Sequence, residues 1–241
     1  MTQELDGKRV VVMGGGSGIG LAAAKSLAGL GARVIVTGRS EEKLQAAVRD
    51  AGVPLEHAAF DAGSEPSVRA FFDRVGAVDH LVLTLSGAKG GGLFREVAIG
   101  SVREGFEAKF FPHFLAAQLA LPHLARDGSI TFVSAISARG SMPGTAGLAA
   151  INGAIEAMVR PLARELKPLR VNAVSPGVVE TPWWDALPAG QRQAFLQSAA
   201  SMTLVGRNAK PEEAAAAIVF VVTNGFVTGT VIEVDGGVRL S

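Results

Sequence analysis

Seven short runs rich in Val, Ile and Leu alternate along this chain with longer Ala/Leu-rich stretches of helical period. Such alternation marks repeated strand–helix–strand units, whose strands align in parallel and are covered by helices on both faces. The strand candidates are Val10 to Met13, Arg33 to Thr37, Leu55 to Asp61, His80 to Leu85, Ser129 to Ser134, Val171 to Val174 and Val231 to Val234. Runs such as Leu81-Val82-Leu83 are hydrophobic without interruption, as a strand buried on both faces requires. Helix candidates fall near residues 18–30, 41–51, 66–75, 101–125, 146–167, 189–201 and 211–223. The predicted fold class is α/β, a Rossmann-like doubly wound sandwich with a mostly parallel seven-stranded sheet, in a single domain over residues 1–241.

Local signals agree with those boundaries. Ser40 before Glu41-Glu42 reads as an N-cap with acidic residues in the first turn, and Pro211-Glu212-Glu213 reads as another helix start. Pro112 and Pro161 fall inside predicted helices, where each removes a backbone donor at a cost of up to about 3 kcal/mol. A kink is expected at both.

Composition closes several classes of function. The chain has 23 Lys plus Arg against 22 Asp plus Glu, a net charge of +1, so nothing favours nucleic acid or an anionic membrane as partner. No apolar run reaches the roughly 18 to 20 residues of a membrane span, and Met1-Thr-Gln-Glu-Leu-Asp lacks the basic and apolar regions of a secretion signal. A cytoplasmic protein is expected. Zero cysteines exclude disulfides, thiol nucleophiles and iron–sulfur clusters, and four scattered histidines without a carboxylate cluster predict no metal site. Zero tyrosines exclude any mechanism with a phenol as proton donor.

Gly14-Gly-Gly16-Ser17-Gly18-Ile19-Gly20 follows the first strand and opens the first helix. There the backbone turns sharply, admits a pyrophosphate without Cβ obstruction, and aims the free N–H groups of the helix start at its charge. Gly14, Gly18 and Gly20 are the positions where spacing matters. The second strand ends Val36-Thr37-Gly38-Arg39-Ser40. A carboxylate near position 38 would accept from ribose hydroxyls and repel a 2'-phosphate, but the residue is glycine. Arg39 instead offers a guanidinium and Ser40 a hydroxyl, which favours NADP(H) over NAD(H).

The spacing Gly-x-x-x-Gly-x-Gly resembles the short-chain dehydrogenase/reductase family, and the resemblance extends over essentially the entire chain. It implies that Asp61 and Ala62 lie by the adenine, and that Ser86 and Gly87 keep the small residues of the family's fourth-strand motif. It also implies that the backbone of the segment with Pro176, Gly177 and Val179, together with Thr181, holds the nicotinamide carboxamide. Asp235-Gly236-Gly237 resembles the family's closing turn, and residues 182–210 its substrate lid. Trp183, Trp184, Phe195 and Met202 are then available to cover an apolar ligand or simply to pack on the domain.

The chemical end departs from the family pattern. Aligning Arg160-Pro-Leu-Ala-Arg-Glu-Leu166 with the family's helical stretch places Leu148 at its tyrosine, Asn152 at its lysine, Ala135 at its serine and Lys109 at its asparagine. Ser134 and Ser137 flank the serine position. The lysine and asparagine types have changed places, so Lys109 is a candidate to restore the missing ammonium and Asn152 the amide. The alternative for Lys109 is a surface or packing role. His113 lies one helical turn beyond Lys109 and is either a proton-transfer group or a satisfied packing histidine. Lys89 sits in a glycine loop, near substrate or merely solvated.

Three readings stay open at this point. The first is an NADP(H)-dependent oxidoreductase with a non-standard proton donor and an apolar carbonyl, enone or imine substrate. The second is a non-catalytic NADP(H)-binding protein that acts as a regulatory or inactive partner subunit, including beside an active relative. The third is a non-redox enzyme in the same cleft. Family resemblance further implies a homodimer or homotetramer.

Overall fold

A computed structural model describes residues 5–240. Seven strands, β1 (Arg9–Met13), β2 (Arg33–Gly38), β3 (Glu56–Ala59), β4 (Val78–Leu83), β5 (Leu124–Val133), β6 (Arg170–Pro176) and β7 (Val231–Val234), form one sheet in the order β3-β2-β1-β4-β5-β6-β7. Every neighbouring pair is parallel, so the sheet is fully rather than mostly parallel. The helices are α1 (Gly18–Gly29), α2 (Glu41–Arg49), α3 (Glu65–Val75), α4 (Ile99–Gly105), α5 (Phe111–Ala120), α6 (Ala146–Glu165), α7 (Ala189–Met202) and α8 (Pro211–Thr223).

Side chains alternate across each strand, which divides the apolar core in two. Val11, Met13, Leu81, Leu83 and Phe132 point to one face and meet Phe71, Phe72, Ile155 and Val159. Val10, Val12, Val34, Val36 and Val174 point to the other and meet Leu27, Leu44, Ile218 and Val221. Both faces of the central strands are therefore dry, which explains their unbroken hydrophobic runs. The order in which strands are added reverses between β1 and β4, and the carboxyl ends of those two parallel strands open the crevice where ligands of such sheets bind. Among the described residues no helix is long and apolar enough to cross a membrane.

Ser40 caps α2 as expected, its Oγ accepting from the Lys43 N–H at 3.3 Å. At the start of α8, Glu213 Oε2 accepts from the Lys210 N–H at 2.8 Å, while Arg207 grips both carboxylate oxygens. The expected helix over 101–125 is corrected to four pieces. α4 passes into a π-helical turn over Phe106–Phe110, α5 follows, and Leu121–His123 forms a 3-10 turn before β5 begins at Leu124 rather than Ser129. The π turn, closed by the Phe111 N–H on the Phe106 carbonyl, immediately precedes Pro112, which has no N–H to continue the helical bonding at the start of α5. Pro161, the second proline at which a kink is expected, lies inside α6. α6 runs unbroken through it, and Pro161 and Ala157, whose carbonyl loses its usual donor, are both exposed.

Candidate active site

The cleft begins with a glycine loop whose shape excludes side chains. Gly14 has φ 82° and Gly18 φ 52°, in the left-handed region that glycine enters freely. A methyl on Gly20 would overlap the Gly14 carbonyl and lie 2.5 Å from Thr84 Oγ1. Thr84 belongs to the chain leaving β4, and both its N–H and its hydroxyl donate to the Met13 carbonyl at 2.8 Å. The two strand ends at the switch point are thus tied together beneath the loop. Gly16 sits against Leu44, Ser17 precedes α1 in extended backbone, and Ile19 packs on the core.

Around the loop stand the other residues expected at the cofactor. Arg39 is exposed and makes no ion pair or hydrogen bond with the described residues, so its guanidinium is free for a ligand. Ser40 accepts from Lys43 but keeps its own proton to donate. Asp61 accepts from the Gly63 N–H at 2.9 Å, with Ala62 between them half-buried. Ser86 is exposed, while Gly87 lies where a methyl would come within 2.6 Å of Ala108 Cβ. Past β6, which ends in Pro176, Gly177 donates to the Val234 carbonyl at 2.9 Å, and Val179 is buried and accepts from the Trp184 indole at 2.8 Å. Thr181 brings its methyl against Gly18.

Trp183, Trp184 and Phe195 form one aromatic cluster, edge-to-face between the tryptophans and tilted between Trp184 and Phe195, each successive pair of ring centroids being 4.5 Å apart. Met202 closes α7. Trp183 remains 43% exposed. Lys89 is largely solvated and lies 3.8 Å from Glu104.

The four positions expected at the chemical centre do come together. Leu148 and Asn152 lie one turn apart on α6, and Asn152 Nδ2 donates to the Leu148 carbonyl at 3.0 Å and to Ser137 Oγ at 3.1 Å. Its Oδ1 is buried without a hydrogen-bond partner among the described residues. Ala135 lies at the end of β5 between Ser134 and the turn that carries Ser137. Lys109 occupies the π turn, 9% exposed, and donates from Nζ to the Ser134 carbonyl at 3.1 Å. Burial brings its ammonium down to about 8, and the nearby Glu156 carboxylate resists that fall.

His113 is fully buried, with Nδ1 2.7 Å from the Lys109 carbonyl and Nε2 3.1 Å from the Leu83 carbonyl. Desolvation, helped by the Lys109 charge, pushes it down to about 3. The neutral ring donates from one nitrogen only and braces the π turn against β4, a packing geometry rather than a proton path. His80 is likewise buried, Nδ1 lying 2.9 Å from Ser129 Oγ, and burial lowers it to about 4. His57 pairs with Glu41, and His123 stacks on Phe72. Among the described residues no group of three or more His, Asp or Glu is placed to hold a metal.

One charged residue at this centre escapes the alignment. Glu156 on α6 accepts from Ser134 Oγ at 2.7 Å and from Arg139 Nε at 2.8 Å, with its side chain only 8% exposed. Arg139 reaches Glu233 at 2.5 Å, and Arg239 pairs with the same carboxylate. The signal lay in the spacing: Leu148, Asn152 and Glu156 recur every four residues and share a helical face.

Comparison with known proteins follows the same geometry. Residues 14–239 match the family model described as Enoyl-(Acyl carrier protein) reductase. The chain is 30% identical to the short-chain dehydrogenase/reductase malC of Malbranchea aurantiaca, over 98% of this chain and 96% of that one. It is 31% identical to the 3-oxoacyl-[acyl-carrier-protein] reductase FabG of Thermotoga maritima, over 97% and 98%. A crystal structure of a small-chain dehydrogenase in complex with NADPH superposes with a TM-score of 0.85 at 34% identity, covering 98% of this chain and all of that one.

Proposed function

The chain belongs to the short-chain dehydrogenase/reductase family, and from that premise we propose that it is an NADP(H)-dependent oxidoreductase in which Lys109 replaces the phenol as proton donor. The observation that carries this reading is the Lys109 ammonium, buried at the cleft and held by one carbonyl. The substrate class it suits is an apolar carbonyl, enone or imine under the aromatic lid of residues 182–210, with the chain acting as a single dinucleotide-binding domain.

The residues present fit the cofactor. Gly14 to Gly20 form a tight backbone turn, closed against Thr84 where a Cβ at Gly14 or Gly20 would clash, that leads into the N-terminus of α1, and Arg39, without an ion pair among the described residues, offers a cation at the end of β2 for a 2'-phosphate. Asp61 and Ala62 border the adenine side, and Ser86, Gly87, Pro176, Gly177, Val179 and Thr181 the nicotinamide side. Asn152 Oδ1, a buried acceptor without a donor among the described residues, suits a ribose hydroxyl. Solution of a polar orphan by a ligand is favourable because leaving it unpaired costs about 1 to 3 kcal/mol.

When bound, the reduced nicotinamide supplies a hydride. The chain's own residues do the rest. Leu148 and the lid exclude water from the reacting face, and Lys109, with N–H groups beyond the one given to Ser134, donates a proton to the substrate heteroatom and recovers it from solvent. An acid with a pKa of about 8 loses and regains a proton readily near neutral pH, where a lysine near 10.5 would regain it far more easily than lose it. The NADP(H) preference over NAD(H) rests on Arg39 and on Gly38, which leaves room for the phosphate. Phe111 and Phe114, 49% and 46% exposed on α5, support a homodimer or homotetramer.

Oxidation of NADPH across a panel of apolar ketones, enones and cyclic imines tests this. Wild-type protein is expected to turn over at least one class, and Lys109→Ala to lose about 100- to 10,000-fold in kcat. Turnover by none of the panel, with NADPH shown to bind, overturns the catalytic reading. It would favour the second reading, a non-catalytic NADP(H)-binding partner subunit. The observation on that side is the Ser134 hydroxyl, which is committed to Glu156 instead of facing a substrate.

A further inference from the structure

Lys109 and Glu156 both hydrogen-bond to Ser134, at different groups. The ammonium takes its main-chain carbonyl at 3.1 Å and the carboxylate takes its hydroxyl at 2.7 Å. Among the described residues no direct ion pair joins the two side chains, and Ser134 bridges them. A buried carboxylate beside a cleft is costly unless it is paired, and Glu156 is paired outward, with Arg139 at 2.8 Å. Arg139 in turn rests on Glu233 of β7, which Arg239 of the C-terminal turn also grips.

From this arrangement we propose that Glu156 is a positioning residue for Lys109: through Ser134 and its own negative charge it holds the lysine charged and in place, and Arg139 sets how much of that charge Lys109 feels. The proposal deepens the reading of Lys109 as proton donor and rests on it for its catalytic meaning. The groups that face Lys109 are few. Glu156 stands on α6, the neutral ring of His113 on α5, and Arg139, Glu233 and Arg239 lie behind Glu156. Desolvation lowers the lysine and Glu156 is the one charged group that raises it.

The two neighbours of the bridge act with opposite sign. Glu156→Gln keeps an acceptor for Ser134 but removes the negative charge, so the ammonium loses its proton at lower pH. Arg139→Gln removes the cation that competes for the carboxylate, so the ammonium loses its proton at higher pH. A residue that merely packs the site would move both midpoints together or neither.

The chain has seven lysines, few enough to follow individually. Protein labelled with carbon-13 lysine is titrated without substrate, the Lys109 ε-carbon being assigned by its disappearance in Lys109→Met. The expected result is a midpoint lower by about one pH unit in Glu156→Gln and higher in Arg139→Gln. An unchanged midpoint, or shifts of the same sign, overturns the proposal. Should Glu156→Gln fail to fold, the upward shift in Arg139→Gln still decides it. Opposite shifts without turnover on the panel would uphold the Glu156 role and sink the proton-donor reading alone, so the two failures are distinct.

Discussion

A methyl group built on Gly18 would stand 3.1 Å from Thr181 Cγ2, so the loop after the first strand meets the segment after the sixth across the mouth of the cleft. The two segments lie far apart in the chain, and parallel strands bring their carboxyl ends to one edge of the sheet. The glycine loop proposed at the pyrophosphate and the segment proposed at the nicotinamide are therefore adjacent.

Gly20→Ala is expected to destroy the glycine loop. The added methyl overlaps the Gly14 carbonyl and crowds Thr84 Oγ1, a conflict with backbone that no side chain can relieve. Overpacking of this kind costs about 1 to 3 kcal/mol of stability. Calorimetry should show NADPH binding lost, while far-ultraviolet circular dichroism stays that of the folded protein. Retention of full affinity would contradict the placement of the pyrophosphate.

Arg39→Glu is expected to weaken NADPH by roughly 10- to 100-fold and NADH by much less, since hydrogen bonds to a charged group contribute about 1.5 to 3 kcal/mol. The comparison of the two affinities carries the test. Equal weakening of both would place Arg39 on the adenine instead of a 2'-phosphate.

Lys109→Met is expected to stabilise the protein at neutral pH. Burial brings the folded lysine down to about 8 from an ordinary 10.5, so between those values the unfolded chain holds more protons than the folded one and stability rises with pH. Below the window the buried charge costs wild type up to roughly 3 kcal/mol, and the variant carries no such penalty. Urea unfolding should give the variant its largest advantage near pH 7, shrinking toward pH 10.5. A constant gap would mean that Lys109 is not desolvated.

Acid should act through the buried histidines. His80 and His113 are lowered to about 4 and about 3, so below the ordinary value of 6.5 the unfolded chain takes up protons that the folded one refuses. Each then removes about 1.4 kcal/mol of stability per pH unit. His113→Leu should flatten that decline between pH 6 and 4, as read from unfolding midpoints, and an unaltered slope would show the ring to be accessible to protons.

Strand and helix order was legible because burial on both faces of a parallel sheet leaves unbroken apolar runs, and because Gly14 to Gly20 can serve few purposes after a strand. The path from residue 101 to 125 was not legible. Helical period persists through Phe106 to Phe110, and nothing local separates a π turn from an α turn when Pro112 follows. At the chemical centre, the spacing between Leu148 and Asn152 located both on one helix face, while Glu156 was overlooked because an acidic residue on a helix is ordinarily a solvated one.

By itself the order of residues determined the doubly wound sheet, the glycine cradle, and the impossibility of a phenolic proton donor, since these depend on local pattern and composition. Only the tertiary structure decided that Lys109 is buried rather than solvated, that Ser134 turns its hydroxyl to Glu156, and that Arg139 and Glu233 stand behind that carboxylate. The reason is dielectric: how strongly a charge is felt depends on the distance and the water between groups that the chain separates by tens of residues, and neither quantity is written in any one segment.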